Sequence, residues 1–176
     1  MKRIGLLAMA VVLVAATAAT AWNDNRFRRI REFLNGHQEV PVISTTGKGS
    51  FTASINREDT EINFQLKYTG LEGEITQSHI HFGPPNNTGG ISVFLCSNLG
   101  TAGVQACPGP FEGVVEGVIT SMDVIGPVGQ GIEAGAFDEL LDAIRAGKTY
   151  VNVHTTKWPA GEIRSQIEHG EGHGKP

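Results

Sequence analysis

From residue 49 onward the chain alternates apolar and polar positions with a period of two, the pattern of β-strands that bury one face. Over 49–56, Phe51, Ala53 and Ile55 fall on one side and Ser50, Thr52 and Ser54 on the other. Over 61–69 the alternation is cleaner, with Ile62, Phe64, Leu66 and Tyr68 opposing Glu61, Asn63, Gln65 and Lys67. The polar link Asn56-Arg57-Glu58-Asp59-Thr60 between these runs reads as a hairpin. The same reading predicts strands over 75–82, 90–96, 112–120, 149–155 and 162–167. Gly83-Pro84-Pro85, Gly89-Gly90 and Pro108-Gly109-Pro110 punctuate them. Upstream, a basic stretch (Arg26, Arg28, Arg29, Arg31) precedes residues 33–41, which lead into the strands.

One segment changes period. Phe137, Leu140, Leu141 and Ile144 recur at i, i+3, i+4 and i+7, one face of a helix. Asp138 and Glu139 sit in its first turn and Arg145 in its last, matching the macrodipole, and Gly147 is placed to end it. Many short strands with one small helix predict an all-β, antiparallel Greek-key β-sandwich or barrel, capped by the apolar face of that helix.

The N-terminus narrows the setting. Lys2 and Arg3, an apolar run from Ile4 to Ala16, and the small residues Ala19-Thr20-Ala21 read as a secretory signal peptide over 1–21, with the mature chain starting near Trp22. The apolar run is short for a membrane span. The chain carries 14 basic and 18 acidic side chains, a balance of −4; loss of Lys2 and Arg3 leaves 12 against 18, or −6. That acidity disfavours nucleic acid and anionic membranes as partners. The remaining about 155 residues suit one domain, taken as 33–168, followed by a Gly- and His-containing tail over 169–176 with His169 and His173. Cys96 and Cys107 are expected to pair in an oxidising, secreted or periplasmic compartment, closing a loop for a gain of about 3 kcal/mol.

The candidate chemistry is histidine. In Ser78-His79-Ile80-His81-Phe82 the two imidazoles share one strand face, opposite Ile80 and Phe82. In Tyr150-Val151-Asn152-Val153-His154-Thr155 the valines read as the buried side, leaving Tyr150, Asn152 and His154 on the other. The link 156–161 is short enough for a hairpin that sets His154 opposite Glu162 or Arg164. If the strands are neighbours, three imidazoles meet on one sheet face; an all-nitrogen set suits copper, with zinc as the alternative. A solvated histidine pair is the plainer reading of the same spacing. His37 is a fourth candidate ligand, or a turn residue with an ordinary hydrogen bond. Glu39 could orient an imidazole or lie at the surface. Arg164 either draws a small anion toward a metal or pairs with an acid such as Glu162. Ser78 and Ser165 lie near histidines without a Gly-x-Ser-x-Gly setting, which speaks against a hydrolase.

Four segments together resemble the chordin-domain (CHRD) family. They are Leu34-Asn35-Gly36-His37-Gln38-Glu39-Val40-Pro41, His79-Ile80-His81-Phe82-Gly83, Tyr150 through Thr155, and Pro159-Ala160-Gly161-Glu162-Ile163-Arg164. The resemblance runs from about residue 33 to residue 167 and implies an all-β extracytoplasmic domain. That family includes repeats in chordin, an extracellular antagonist of bone morphogenetic proteins, and many small secreted microbial proteins. His37 departs from it, since the family more often has a small residue there. A weaker likeness, to Cu,Zn superoxide dismutase, rests on the order His79, His81, His154, Arg164. It lacks a bridging histidine with a zinc-binding loop, and its cysteines do not correspond.

Two functions follow as expectations. One is a secreted or periplasmic domain binding one transition metal through His79, His81 and His154, with His37 as a further ligand and superoxide dismutase-like redox chemistry if the site is open. The other is a non-enzymatic module for an extracellular protein partner, presented on loops 83–90 and 97–110.

Overall fold

The computed structural model describes residues 28–168. The leader expected at 1–21 and the tail expected at 169–176, with His169 and His173, lie outside them. Eight strands form one antiparallel sheet: β1 (Arg29–Asn35), β2 (Lys48–Ile55), β3 (Ile62–Thr69), β4 (Ile75–Phe82), β5 (Gly90–Ser97), β6 (Gly113–Ile119), β7 (Thr149–Thr155) and β8 (Ile163–Ile167). Their order is β5-β4-β7-β8-β1-β2-β3-β6. The sheet curls into a nearly closed barrel around a single apolar core, to which edge strand β5 contributes Val93 and Leu95, edge strand β6 Val115 and Ile119, and the middle strands Val151, Ile163 and Phe51.

The seam between β5 and β6 is closed by a side chain. The Gln105 amide donates to Leu95 O on β5 and to Glu116 O on β6, both at 3.1 Å. Gln105 is held there because its carbonyl accepts from Ser97 N at 2.9 Å. Two residues on, Cys107 is bonded to Cys96 (S–S 2.13 Å), which ties the seam loop to β5 as expected of this pair. Gln105 thus occupies Leu95 O and Ser97 N on one edge and Glu116 O on the other, which partly covers the open groups that invite edge-to-edge aggregation.

The period-two positions fall where the alternation puts them. Phe51, Ala53, Ile55, Ile62, Phe64, Leu66 and Tyr68 are all buried. The helix α1 (Phe137–Arg145) adds Phe137, Leu140, Leu141 and Ile144 to the same core, and Gly147, at φ 63°, follows its end. Its last residue, Arg145, bonds Asp59 Oδ2 at 2.8 Å, which fixes α1 beside the β2–β3 turn. Truncating Leu140 to Ala would cost about 2–5 kcal/mol through the cavity left.

One strand escapes the pattern reading. β1 sends Ile30 and Leu34 inward and Arg29, Arg31 and Phe33 outward. Glu32 shares the parity of the inward pair, and its charge masks the alternation. Phe33 inverts it further, standing 61 % exposed with the Arg31 guanidinium 5.6 Å from its ring centre.

Candidate metal centre

The β4–β7 register pairs His79 with Asn152 and His81 with Tyr150, and sets His154 against Gln77. All the outward side chains of these strands therefore stand on one tile of the barrel's outer surface. His79, His81 and His154 meet there, each offering a ligand atom within 4.8 Å of the others. The closest approach is His79 Nδ1 to His154 Nε2, 3.1 Å. Two nitrogens each about 2.1 Å from one zinc or copper ion are about that far apart at a bond angle of roughly 100°.

Hydrogen bonds select the tautomers. His81 Nδ1 donates to Gly89 O at 2.9 Å, and His154 Nδ1 donates to Pro159 O at 2.9 Å. Both rings therefore keep the proton on Nδ1 and a lone pair on Nε2. His154 Nε2 also lies 3.0 Å from Asn152 Oδ1; a half-turn of that amide would present Nδ2 as the donor. The Nε2 atoms of His79 and His81 are buried and have no hydrogen-bond partner. Such orphaned buried atoms are costly unless a ligand uses them.

Electrostatics keeps the rings neutral. Burial, then the nearby His154 and His81, push His79 down to about 2. Burial pushes His81 down to about 4, against the opposing Gly89 carbonyl bond, and lowers His154 as well against that of Pro159. Three uncharged imidazoles with free lone pairs are the form a cation requires.

The tile is roofed by chain segments, and this sets it apart from an ordinary outer face. The loop after β4 is bound from beneath: Gln166 Nε2 donates to Gly83 O at 3.1 Å, and Gly89 N donates to Tyr150 Oη at 3.1 Å. Gly89 admits no side chain, since a Cβ there would overlap Phe82 O. Arg164 lies below the loop, only 2 % exposed, donating to Asn87 O at 2.9 Å and Pro84 O at 3.3 Å. Its guanidinium covers the Tyr150 ring at 3.4 Å, and that ring stacks on His81 at 4.7 Å with planes 1° apart. On the other flank the Phe94 ring meets His79 edge-on at 4.5 Å.

Several expectations change here. Arg164 does not pair with Glu162. The β7–β8 ladder sets Arg164 against Asn152, and Glu162 precedes β8 at the chain reversal. The Glu162 carboxylate instead accepts from Thr45 Oγ1 (2.7 Å), Glu72 N (2.7 Å) and Thr155 Oγ1 (2.8 Å), so His154 has no charged neighbour from it. Glu39 is not a surface carboxylate: it is 5 % exposed and fills the space beside Gly161, where no Cβ would fit. Burial pushes its carboxyl up to about 7 despite the nearby Arg164 charge. His37 is exposed on the turn Gly36–Gln38 and is not in the three-histidine group; its backbone N–H bonds Asn35 Oδ1 at 3.0 Å. Ser78 donates to Asn152 O at 2.7 Å, and Ser165 to Gln38 and Gln166, so both hydroxyls are engaged in the framework.

Phe94, Gly89 and Gln166 belong to the site although the strand pattern does not single them out, and Tyr150, which that pattern sets on the His154 face, gains its role by stacking on His81. Tyr150 and Gln166 had a signal, because they share parity with His154 and Arg164 on adjacent strands. Gly89 and Phe94 had none short of knowing the β4–β5 pairing. The family model for the CHRD domain matches residues 31–167. No curated protein and no solved structure matches the chain.

Proposed function

The chain belongs to the CHRD-domain family, and from that premise we propose that it is an exported barrel that binds one transition-metal ion through His79, His81 and His154. The observation that carries this reading is the convergence of three imidazoles, with one ligand atom from each within 4.8 Å of the others, His79 Nδ1 3.1 Å from His154 Nε2, and His81 Nε2 buried and unpartnered. The all-imidazole donor set suits copper and zinc alike, and copper is favoured because divalent copper binds a given nitrogen site more tightly. When bound, copper would supply one-electron chemistry, and a small oxygen species such as superoxide is the substrate that chemistry suits. The chain's own residues hold the rings: Gly89 O and Pro159 O fix two tautomers, and Tyr150 sets the plane of His81. His37 is kept as a further ligand in this proposal, reachable only if its turn moves. Arg164 acts as the post beneath the roof, with its donors already engaged on loop carbonyls. Export is supported by the leader-like N-terminus and by the Cys96–Cys107 bond, which an oxidising compartment maintains. Among the described residues, no helix is long and apolar enough to cross a membrane.

The test loads metal-free protein separately with copper and zinc, removes excess, and measures metal per chain and the copper paramagnetic resonance spectrum. One ion per chain with nitrogen hyperfine structure, lost in His79→Ala and His81→Ala, supports the reading. Equal retention in those variants ends it. Superoxide consumption by the copper form, compared with His37→Ala, tests the redox chemistry and the further ligand. Periplasmic or medium fractionation with an N-terminal read near Trp22 tests export.

A second reading has its own observation. Residues 84–88 are exposed at the crest of a loop whose roots are pinned by Arg164, Gln166 and Tyr150. A rigidly mounted, exposed loop suits an extracellular protein partner. A partner lost on exchanging residues 84–88 while metal content stays constant would favour it.

A further inference from the structure

On the opposite part of the barrel, the outward faces of β1, β2 and β3 form a different surface. Pairing puts Arg29 beside Ser54 and Asn63, Arg31 beside Thr52 and Gln65, Phe33 beside Ser50 and Lys67, and Asn35 beside Lys48 and Thr69. Four cations thus cross this face on a diagonal, with hydroxyls and amides filling the positions between them. Arg29, Arg31, Lys48 and Lys67 are all exposed. Two shallow depressions lie along the diagonal. Arg29, Arg31, Thr52 and Asn63 line one; Lys48, Ser50, Lys67 and Thr69 line the other, together with Glu112 on its β6 side. Three acids border this face: Glu116 on β6 bonds the Gln65 amide, Glu112 faces Thr69 within the second depression, and exposed Glu61 shares the outward parity of Asn63 just before β3.

The chain as a whole is acidic, at −4, so a face whose four cations outnumber the three acids at its borders is a local reversal of sign. Such a reversal concentrates ligands of the opposite charge. Two cation pairs about two residue rows apart, or roughly 13 Å along the strands, ask for a ligand with repeated anionic groups. The hydroxyls and amides between them ask for one that also carries many hydroxyls. Apart from Phe33, no outward position in these rows is aromatic, which gives nucleic-acid bases nothing to stack on in series. Phe33, with Val114 and Val118 on neighbouring β6, is exposed here, but these side chains are scattered singly among polar ones and form no continuous apolar wedge for a bilayer.

We propose that the outer face of β1–β3 binds a linear acidic polysaccharide, with the Arg29/Arg31 and Lys48/Lys67 pairs each taking an acidic group and the intervening hydroxyls and amides meeting sugar hydroxyls. Binding is independent of the histidine cluster, which lies on a different part of the barrel. Its function would be to hold the exported domain on an anionic glycan matrix.

The experiment is affinity electrophoresis and calorimetry of the full chain with polygalacturonate as the carboxylated probe. Dextran sulfate is the sulfated probe, neutral dextran the uncharged control, and duplex DNA and phosphatidylglycerol vesicles the competing polyanions. Expected are retardation by polygalacturonate that weakens with salt, none by neutral dextran, and a loss of affinity of about tenfold or more in the variant Arg29→Ser/Arg31→Ser/Lys48→Ser/Lys67→Ser. That variant must keep the wild-type circular dichroism and melting temperature. A second pair, Arg31→Ser/Lys67→Ser, preserves a test if the fourfold change fails to fold, and Arg57→Ser/Lys148→Ser controls for lost charge elsewhere. Unchanged affinity in the face variants overturns the proposal, as does an equal loss in the control. Tighter binding to DNA or vesicles than to polygalacturonate also overturns it, as does binding to dextran sulfate alone.

Discussion

The barrel's outer surface holds two regions built by the same rule with opposite results. Over β4, β7 and β8, the outward His79, His81, Tyr150, Asn152 and Arg164 are buried; over β1–β3, the outward Arg31, Ser54, Asn63 and Lys67 are exposed. Strand parity and polarity are alike in both. What differs is the chain above: loop 83–89 and the Gly36–Gln38 turn with Glu39 cover the first region, and nothing in the described residues covers the second to that degree. Polar side chains under a roof must find partners, and in doing so they become fixed. Fixed side chains can wait for a metal ion. Those left at solvent remain mobile and suit a broad, screened contact with a charged polymer.

The largest expected effect separates two arginines. Arg164→Leu takes the charged donor from the Asn87 and Pro84 carbonyls and the cover from the Tyr150 ring, and should lower stability by about 3 kcal/mol, with metal affinity falling alongside. Arg31→Leu on the open face should shift stability by less than about 0.5 kcal/mol. Urea unfolding of the two variants measures both, and equal losses would erase the comparison.

Metal addition comes next. At a hundredfold excess over Kd, one bound ion should raise unfolding free energy by about 2.7 kcal/mol, read as a rise in melting temperature. His79→Phe/His81→Phe should show no rise, whereas Ser54→Ala should show the full one.

The pH dependence of the metal-free protein sharpens the same contrast. His79 and His81 titrate lower when folded, at about 2 and about 4, than the ordinary 6.5. The unfolded chain therefore takes up more protons below pH 6.5, and stability falls as pH drops from there, through about 4 for His81 and on toward about 2 for His79. Glu39 acts in the opposite sense. Its folded value near 7 exceeds the ordinary 4.5, so the stability it contributes is lost as pH rises through that interval. His79→Phe should flatten the acid limb and Glu39→Gln the limb between about pH 4.5 and 7, as followed by denaturation midpoints across pH.

The smallest effect compares two serines. Ser78→Ala removes the buried bond to Asn152 O that ties β4 to β7 from the core side beneath the histidines, a loss of about 1 kcal/mol. Ser54→Ala on the open face should change stability by less than about 0.5 kcal/mol. Paired thermal melts resolve the difference.

Most of the scaffold is legible in the chain because strand parity is local. Phe51 through Ile55, Ile62 through Tyr68 and the Phe137, Leu140, Leu141, Ile144 stripe each announce their buried side within a few residues. β1 is not legible that way, because Glu32 occupies an inward position and Phe33 an outward one. The histidine triad is half legible: His79 and His81 share a face by spacing alone, whereas His154 joins them only through the pairing of β4 with β7.

The sequence by itself determined an antiparallel β domain with one helix, its cysteine pair and the outward parity of His79, His81, His154 and Arg164, since these depend on periods of two and 3.6 and on composition. Tertiary structure alone decided which outward residues are sheltered. It set Arg164 against loop carbonyls instead of Glu162, sank Glu39 beside Gly161, and left His37 outside the three-histidine group. Burial of an outward side chain depends on segments far away in the chain, and no local pattern records where a distant loop comes to rest.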